Sequence, residues 1–279
     1  MTLVMSEDIK QRTVRFGNVD YQYPSDELRP LRDSNDLLSD RDALLTRLEE
    51  EGYLYLPGYL DREEVLDARD CILEYMEGAE GLEPGSRPLD GVMGKYGKSV
   101  PLMGKKVITH CDPVAKVIAS PRLFELNELI TGEPAKTFDY KWLRAVGNEE
   151  FTGAHMDYVY MGRGSARLMT TWIPIGDATI EQGTLCVCPS SNCSPKFEGL
   201  RNTYGSKDVE RDKINGWFTK DPREFTDIGG HWRTSDVKAG DVITFGMHLM
   251  HASTTNITDR WRLSCDVRFQ PTADPIDSG

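Results

Sequence analysis

The sequence predicts a mainly β fold with flanking helices, an antiparallel jelly roll behind a helical N-terminal part. Three observations carry this prediction. Apolar residues in the first half recur near a 3.6-residue period, and at about Thr137 the period drops to two. Short strand-like runs then follow at 166–175, 183–188, 241–248 and 262–270, separated by turn residues. No internal repeat or low-complexity tract interrupts them, and sandwiches and barrels of this size form as one unit. The expected organisation is therefore a single domain over residues 1–279. A helical buttress spans about 36–134, a jelly-roll core about 137–270, and an insert about 192–236.

The elements follow from local chemistry. Ser39 or Asp40 can cap a helix carrying Leu44, Leu45 and Leu48. Tyr53-Leu54-Tyr55-Leu56 reads as a strand stopped by Pro57-Gly58, and Asp61-x-x-Glu64 as a capping box. That box opens a helix with Val65, Ala68, Ile72 and Met76 on one face. A Gly- and Pro-rich loop from Gly78 to Gly104 gathers Lys95 and Lys98, with Lys105 and Lys106 just beyond. Asp112-Pro113 and Ser120-Pro121 each set a capping residue before proline, and Gly132 stops the second of these helices. From Thr137 to Ala145, Phe138, Tyr140, Trp142 and Arg144 alternate with Asp139, Lys141 and Leu143 as in a strand. Lys238-Ala239-Gly240-Asp241 makes the turn into the strand at 241–248.

Composition excludes some functions. A net charge of −12, from 45 acidic and 33 basic residues, argues against nucleic-acid or anionic-membrane partners, which are held by Lys and Arg. No run approaches the roughly 20 apolar residues of a membrane span. The N-terminus turns acidic at Glu7-Asp8 and lacks a basic, then apolar, secretory pattern, so a cytoplasmic location is expected. The six cysteines show Cys-x-Cys spacing at Cys186-Val187-Cys188 and otherwise scatter, which predicts reduced, structural thiols.

The chemistry gathers around His155-Met156-Asp157. On an extended strand, residues i and i+2 point to one side, so His155 and Asp157 face together and Met156 faces away. His251, 94 residues after Asp157, can complete a triangular face. Two imidazoles and one carboxylate with the remaining positions open suit non-heme Fe(II). Further on, Arg262-Leu263-Ser264 sets a guanidinium and a hydroxyl on one strand face. A guanidinium is a planar, permanently charged fork that grips a carboxylate through two parallel hydrogen bonds, and the hydroxyl can add a third.

From about Leu45 to about Gln270 the chain resembles the phytanoyl-CoA dioxygenase family of Fe(II)/2-oxoglutarate oxygenases. The motifs that carry the resemblance are His155-Met156-Asp157, the Trp172 strand, Gln182-Gly183-Thr184-Leu185, Gly240-Asp241-Val242, and the segment from His251 to Arg262. It implies a double-stranded β-helix of the cupin-like kind, with metal ligands His155, Asp157 and His251 at one mouth. It also implies that Fe(II) and 2-oxoglutarate act with O2 on a C–H bond of a small molecule, yielding succinate and CO2. Arg262 with Ser264 would hold the far carboxylate of 2-oxoglutarate, Trp172 would wall its pocket, and Ser253 would contact it. Lys141, on the strand leading into the motif, could touch the co-substrate or stay solvated.

Rivals stand beside these assignments. His248 competes with His251, and Arg260 with Arg262; the family's spacing of 11 residues between histidine and arginine favours His251 and Arg262. A barrel hydrolase or isomerase using Zn or Mn would share the ligands but would leave Arg262-Leu263-Ser264 without a purpose. A non-catalytic barrel would make no demand on all three ligands. Family members that halogenate have Gly or Ala where this chain has Asp157. Ser190-Ser191-Asn192 departs from the family's usual Gly-Ser-His and predicts a different substrate choice at the rim. Tyr158, Tyr160 and Arg163 are further rim candidates. So are Arg201, Tyr204, Trp217, Phe218, His231 and Trp232 of the insert, which is either a lid or a packed excursion.

Overall fold

The computed structural model describes residues 11–93 and 99–277, so Lys95 and Lys98 lie outside the described residues. Two sheets, antiparallel except for one parallel pair in the smaller, face each other as a jelly roll. The chain enters through a hairpin, β1 (Arg12–Phe16) and β2 (Val19–Tyr23), then β3 (Leu28–Pro30). Helix α1 (Arg41–Glu51), strand β4 (Tyr53–Leu56), and helices α2 (Arg62–Gly78), α3 (Lys106–Thr109), α4 (Asp112–Ile118) and α5 (Pro121–Thr131) follow. The remaining elements are β5 (Ala135–Thr137), β6 (Trp142–Val146), α6 (Tyr158–Met161), β7 (Met169–Pro174), β8 (Leu185–Val187), α7 (Glu198–Thr203), α8 (Arg223–Thr226), β9 (Trp232–Thr234), β10 (Val242–Gly246), β11 (His251–Ser253) and β12 (Arg262–Pro271).

The large sheet runs β4-β10-β7-β12-β5, with β6 also paired to β12; the small sheet runs β11-β8-β9-β3. Strand alternation then assigns each face. Leu263, Cys265, Val267 and Phe269 of β12 pack outward against Val65, Ile72, Val117, Leu123 and Leu126 of the helices. Trp172, Leu185, Val187, Ile243 and Phe245 fill the space between the sheets. A third cluster joins the outer face of the small sheet to the hairpin, through Phe16, Tyr21, Cys186, Phe225 and Trp232. Each Val, Leu, Ile or Phe so buried contributes about 1.5–3 kcal/mol, and the two outer clusters hold most of these side chains. The interior can then afford a polar end.

The caps expected at Asp40, Asp61 and Gly132 form, while that at Asp112 does not. Asp40 accepts from Ala43 N at 3.1 Å and Asp61 from Glu64 N at 3.0 Å, while Gly52 and Gly132 end α1 and α5 with φ of 83° and 75°. Asp112 sits inside the first turn of α4, with Cys111 as its cap, and Ser120 caps α5 without a side-chain bond.

Three expectations change. The strand expected from Thr137 to Ala145 is broken at 138–141 into β5 and β6, both paired to β12. The N-terminal hairpin and β3 add strands to a front expected to be helical. The insert ends in β9, whose Val187↔Arg233 pairing makes it part of the small sheet.

Candidate metal centre and co-substrate cleft

His155 lies just after β6 and its loop, yet it is held as strictly as a strand residue. Its N–H donates to the His251 carbonyl at 2.9 Å, and the His251 N–H donates back at 3.0 Å. This antiparallel bridge puts both imidazoles on the interior side, with ring centroids 4.1 Å apart. Asp157 follows at the entrance to α6. The three side chains are buried, and one donor atom from each lies within 4.8 Å of the others.

The surroundings select which atoms are free. His155 Nδ1 lies 2.8 Å from the Gly153 carbonyl and His251 Nδ1 lies 3.0 Å from the Leu249 carbonyl. A carbonyl can only accept, so each Nδ1 carries the proton and each Nε2 keeps its lone pair. Asp157 Oδ2 is taken by Arg268 Nη2 at 3.1 Å and by the Thr170 hydroxyl. Oδ1 is left, 3.7 Å from both Nε2 atoms. Three ligands on one face of an octahedral ion, each about 2.1 Å from it, stand roughly 3 Å apart. A small inward movement therefore suffices, and the donor set fits Fe(II).

Electrostatics agree. Burial, reinforced by the neighbouring His251, pushes the His155 imidazole down to about 3, so it is neutral and available to a metal at neutral pH. Burial alone would raise the Asp157 carboxyl, but Arg268 and the two histidines outweigh it and hold it below its usual range.

A narrow cleft runs from this cluster along β12, lined by Trp172, Leu185, Ser253 and Arg262 among others. Arg262 donates from Nε to the Gly183 carbonyl at 2.8 Å and from Nη1 to the Ser264 hydroxyl, and its guanidinium lies 5.9 Å from the Trp172 ring centroid. Burial lowers the guanidinium to about 10, which leaves it charged at neutral pH. Ser264 thus sets Arg262, and Ser253 Oγ takes the Thr152 N–H at 2.8 Å. Beyond the metal cluster a cavity of about 600 Å³ opens, walled by Phe138, Tyr140, Trp142, Met161 and Trp217.

Several residues fall elsewhere. Lys141 sits at the break before β6 and donates to Thr137 Oγ1 at 2.8 Å; it lines neither the cleft nor the cavity. Arg144, one turn of the pleat further on, lines both. His248 lies past the end of β10 and stacks on Tyr158 with centroids 4.4 Å apart. Arg260 precedes β12, is exposed, and bonds the Asp90 carbonyl at 2.7 Å. The Ser190-Ser191-Asn192 loop is a brace and not a rim: Ser191 Oγ holds the Met250 N–H at 2.8 Å and Asn192 Nδ2 holds the Glu49 carbonyl at 2.8 Å. In the insert, Val209, Glu210 and Trp217 reach the cavity. Tyr204 and Trp232 are buried, and Arg201 donates to the Ser191 and Ser194 carbonyls. Tyr160 and Arg163 line the cavity. The sequence reading assigned no role to Arg268, although a polar alternation along Arg262, Ser264, Asp266, Arg268 and Gln270 pointed inward.

The sequence profile of the phytanoyl-CoA dioxygenase family matches residues 48–264. Among curated proteins, the 1-deoxypentalenic acid 11-beta-hydroxylases of Streptomyces exfoliatus and Streptomyces arenae are 27% and 26% identical over 259 residues, covering 88% of this chain and 87% of each relative. Among solved structures, the α-ketoglutarate-dependent carbocyclase SnoK from nogalamycin biosynthesis superposes with a TM-score of 0.62 at 18% identity, covering 90% of both chains. The apoform of EctD from S. alaskensis gives 0.60 at 15% identity, covering 96% of this chain and 86% of EctD.

Proposed function

The chain belongs to the phytanoyl-CoA dioxygenase family of Fe(II)- and 2-oxoglutarate-dependent oxygenases, and we propose that His155, Asp157 and His251 hold its iron. It is an oxidoreductase that oxidises a small molecule. When bound, Fe(II) and 2-oxoglutarate supply the oxidising power that hydroxylates a C–H bond with O2, leaving succinate and CO2.

The protein's part is positioning. The observation that carries the ligand assignment is the freeing of three donor atoms, Nε2 of each histidine and Oδ1 of Asp157, by hydrogen bonds to every competing atom. Arg262, set by Ser264, takes the distal carboxylate of 2-oxoglutarate, and Trp172 and Ser253 wall that cleft. Burial keeps bulk water from the cluster, which strengthens each charge pair there. The six free thiols support a reducing compartment such as the cytoplasm.

Anaerobic titration with Fe(II) and then 2-oxoglutarate tests the assignment. A visible charge-transfer absorption should appear only with both present, and admitting O2 should convert 2-oxoglutarate to succinate. Uptake of both iron and 2-oxoglutarate with no such absorption, or succinate formation that survives loss of any one ligand, overturns it.

A further inference from the structure

Three arginines line the interior end of the jelly roll: Arg144 from β6, and Arg262 and Arg268 from β12. A guanidinium removed from water costs several kcal/mol unless anions or acceptors replace its hydration, so each requires a partner. Arg144 has Asp266, with Nε 3.0 Å from Oδ2. Arg262 has the Gly183 carbonyl and Ser264, and the distal carboxylate of 2-oxoglutarate under the reading above. Arg268 is different. It is 5% exposed, its Nη2 reaches Asp157, and its Nε and Nη1 have no hydrogen-bond partner among the described residues. The Trp142 ring, 4.4 Å from its Cζ, supports the charge but accepts no strong hydrogen bond.

Loading the site does not remove this imbalance. The two charges of Fe(II) are met by Asp157 and the metal-bound carboxylate of 2-oxoglutarate. Arg262 is met by the other carboxylate, and Arg144 by Asp266. One positive charge remains, on Arg268. Among the described residues, no other carboxylate reaches the free donors of Arg268: Asp277, Glu210 and Asp208 gather on Arg163, and Glu150, whose field reaches Arg262, is exposed.

We infer that the substrate is a monoanion, a carboxylate on a bulky apolar body, with Arg268 as the residue that selects for the charge. Arg268 lines both the cleft and the 600 Å³ cavity, whose walls of Met103, Phe138, Trp142, Met161 and Trp217 suit an apolar skeleton. A carboxylate anchored beside Asp157 sets the neighbouring carbons next to the metal face. This inference rests on the site holding Fe(II) and 2-oxoglutarate.

The test uses full-length protein loaded with Mn(II), which does not turn over, and saturating 2-oxoglutarate. Calorimetry compares cyclohexanecarboxylate, 1-adamantanecarboxylate and 1-naphthoate with their primary amides. The best-fitting acid should bind at least about tenfold tighter than its amide, about 1.4 kcal/mol. Arg268→Gln, which can still donate to Asp157, should bring that ratio close to one, and Arg268→Lys should keep part of it. Failure of wild-type protein to take up Mn(II) and 2-oxoglutarate would sink the underlying reading, and the inference with it. Normal uptake of both would leave that reading standing while any of four results overturned the inference. These are no acid binding, acid and amide binding alike, an acid that displaces 2-oxoglutarate, or a preference that survives Arg268→Gln.

Discussion

His155 and His251 hydrogen-bond to each other through their backbones in both directions, at 2.9 and 3.0 Å. This bridge joins a loop to a three-residue strand and leaves the two imidazoles side by side. Neither histidine could be moved one residue along this bridge without turning its ring to the opposite face.

This position is what favours His251 over His248 as the proposed third ligand. His251→Ala should reduce iron affinity by more than the roughly 10–100-fold that loss of an outer hydrogen-bond partner costs, and should abolish succinate formation. His248→Ala removes only a ring stacked on Tyr158 and should leave iron content near that of wild type. Metal analysis after anaerobic loading and desalting checks both, and loss of iron in the His248 variant would reverse the assignment.

Arg262 and Arg260 make a similar pair. Arg262→Leu leaves the carboxylate of 2-oxoglutarate without its buried charge partner and should weaken its binding by about 2–5 kcal/mol, with iron binding retained. Arg260 is exposed and ties the Asp90 carbonyl, so Arg260→Leu should change 2-oxoglutarate affinity little. Titration of each variant followed by the charge-transfer absorption gives the two numbers, and equal losses would refute the distinction.

These distinctions explain what could be read in the sequence. The period of two was legible because strand alternation is a local rule, whereas His251 was preferred to His248 only by the spacing that the family resemblance implies. The choice between Arg260 and Arg262 was not legible from alternation, because β12 begins only at Arg262. Lys141 was misplaced although the alternation held: the pairings to β12 on either side of the break at 138–141 differ by two residues, so Phe138, Tyr140, Trp142 and Arg144 all line the cavity and Lys141 falls on the other face. The first hairpin had a readable signal, since Val14, Phe16, Val19, Tyr21 and Tyr23 alternate around Gly17-Asn18, with Gly17 at φ +60°. Arg268 needed the fold. Only the neighbouring strands show that its charge is buried and half-satisfied.

His231 predicts a pH effect remote from the metal. Burial, with Arg29 and Arg233 adding to it, lowers its imidazole to about 4. The unfolded chain takes a proton near the ordinary pKa of about 6.5, so between those values the unfolded state binds more protons. Stability contributed at neutral pH is then lost as pH falls from about 6.5 to about 4, and no further below that. His231→Asn should reduce the slope of this limb of the urea-midpoint profile measured on metal-free protein, leaving the part that the lowered His155 imidazole contributes. An unchanged slope in the variant would assign the limb to other groups.

Under the proposed ligand set, Asp157 would also govern which atom the product gains. Its Oδ2 is fastened by Arg268 and Thr170, and its Oδ1 faces the two imidazoles. As a ligand of the proposed iron, a carboxylate so held would leave a halide no vacant position beside 2-oxoglutarate and O2. Wild-type protein supplied with excess chloride or bromide should therefore form an oxygenated product and no halogenated one. Asp157→Gly removes the ligand and leaves the Arg268 charge facing the gap, so activity should fall steeply unless chloride fills it. Mass spectrometry of products formed under heavy oxygen gas reads both outcomes. Heavy oxygen in the product, with one succinate per turnover, is the expected result. A halogenated product from wild-type protein, or turnover without O2 or 2-oxoglutarate, would show that Asp157 does not hold that position.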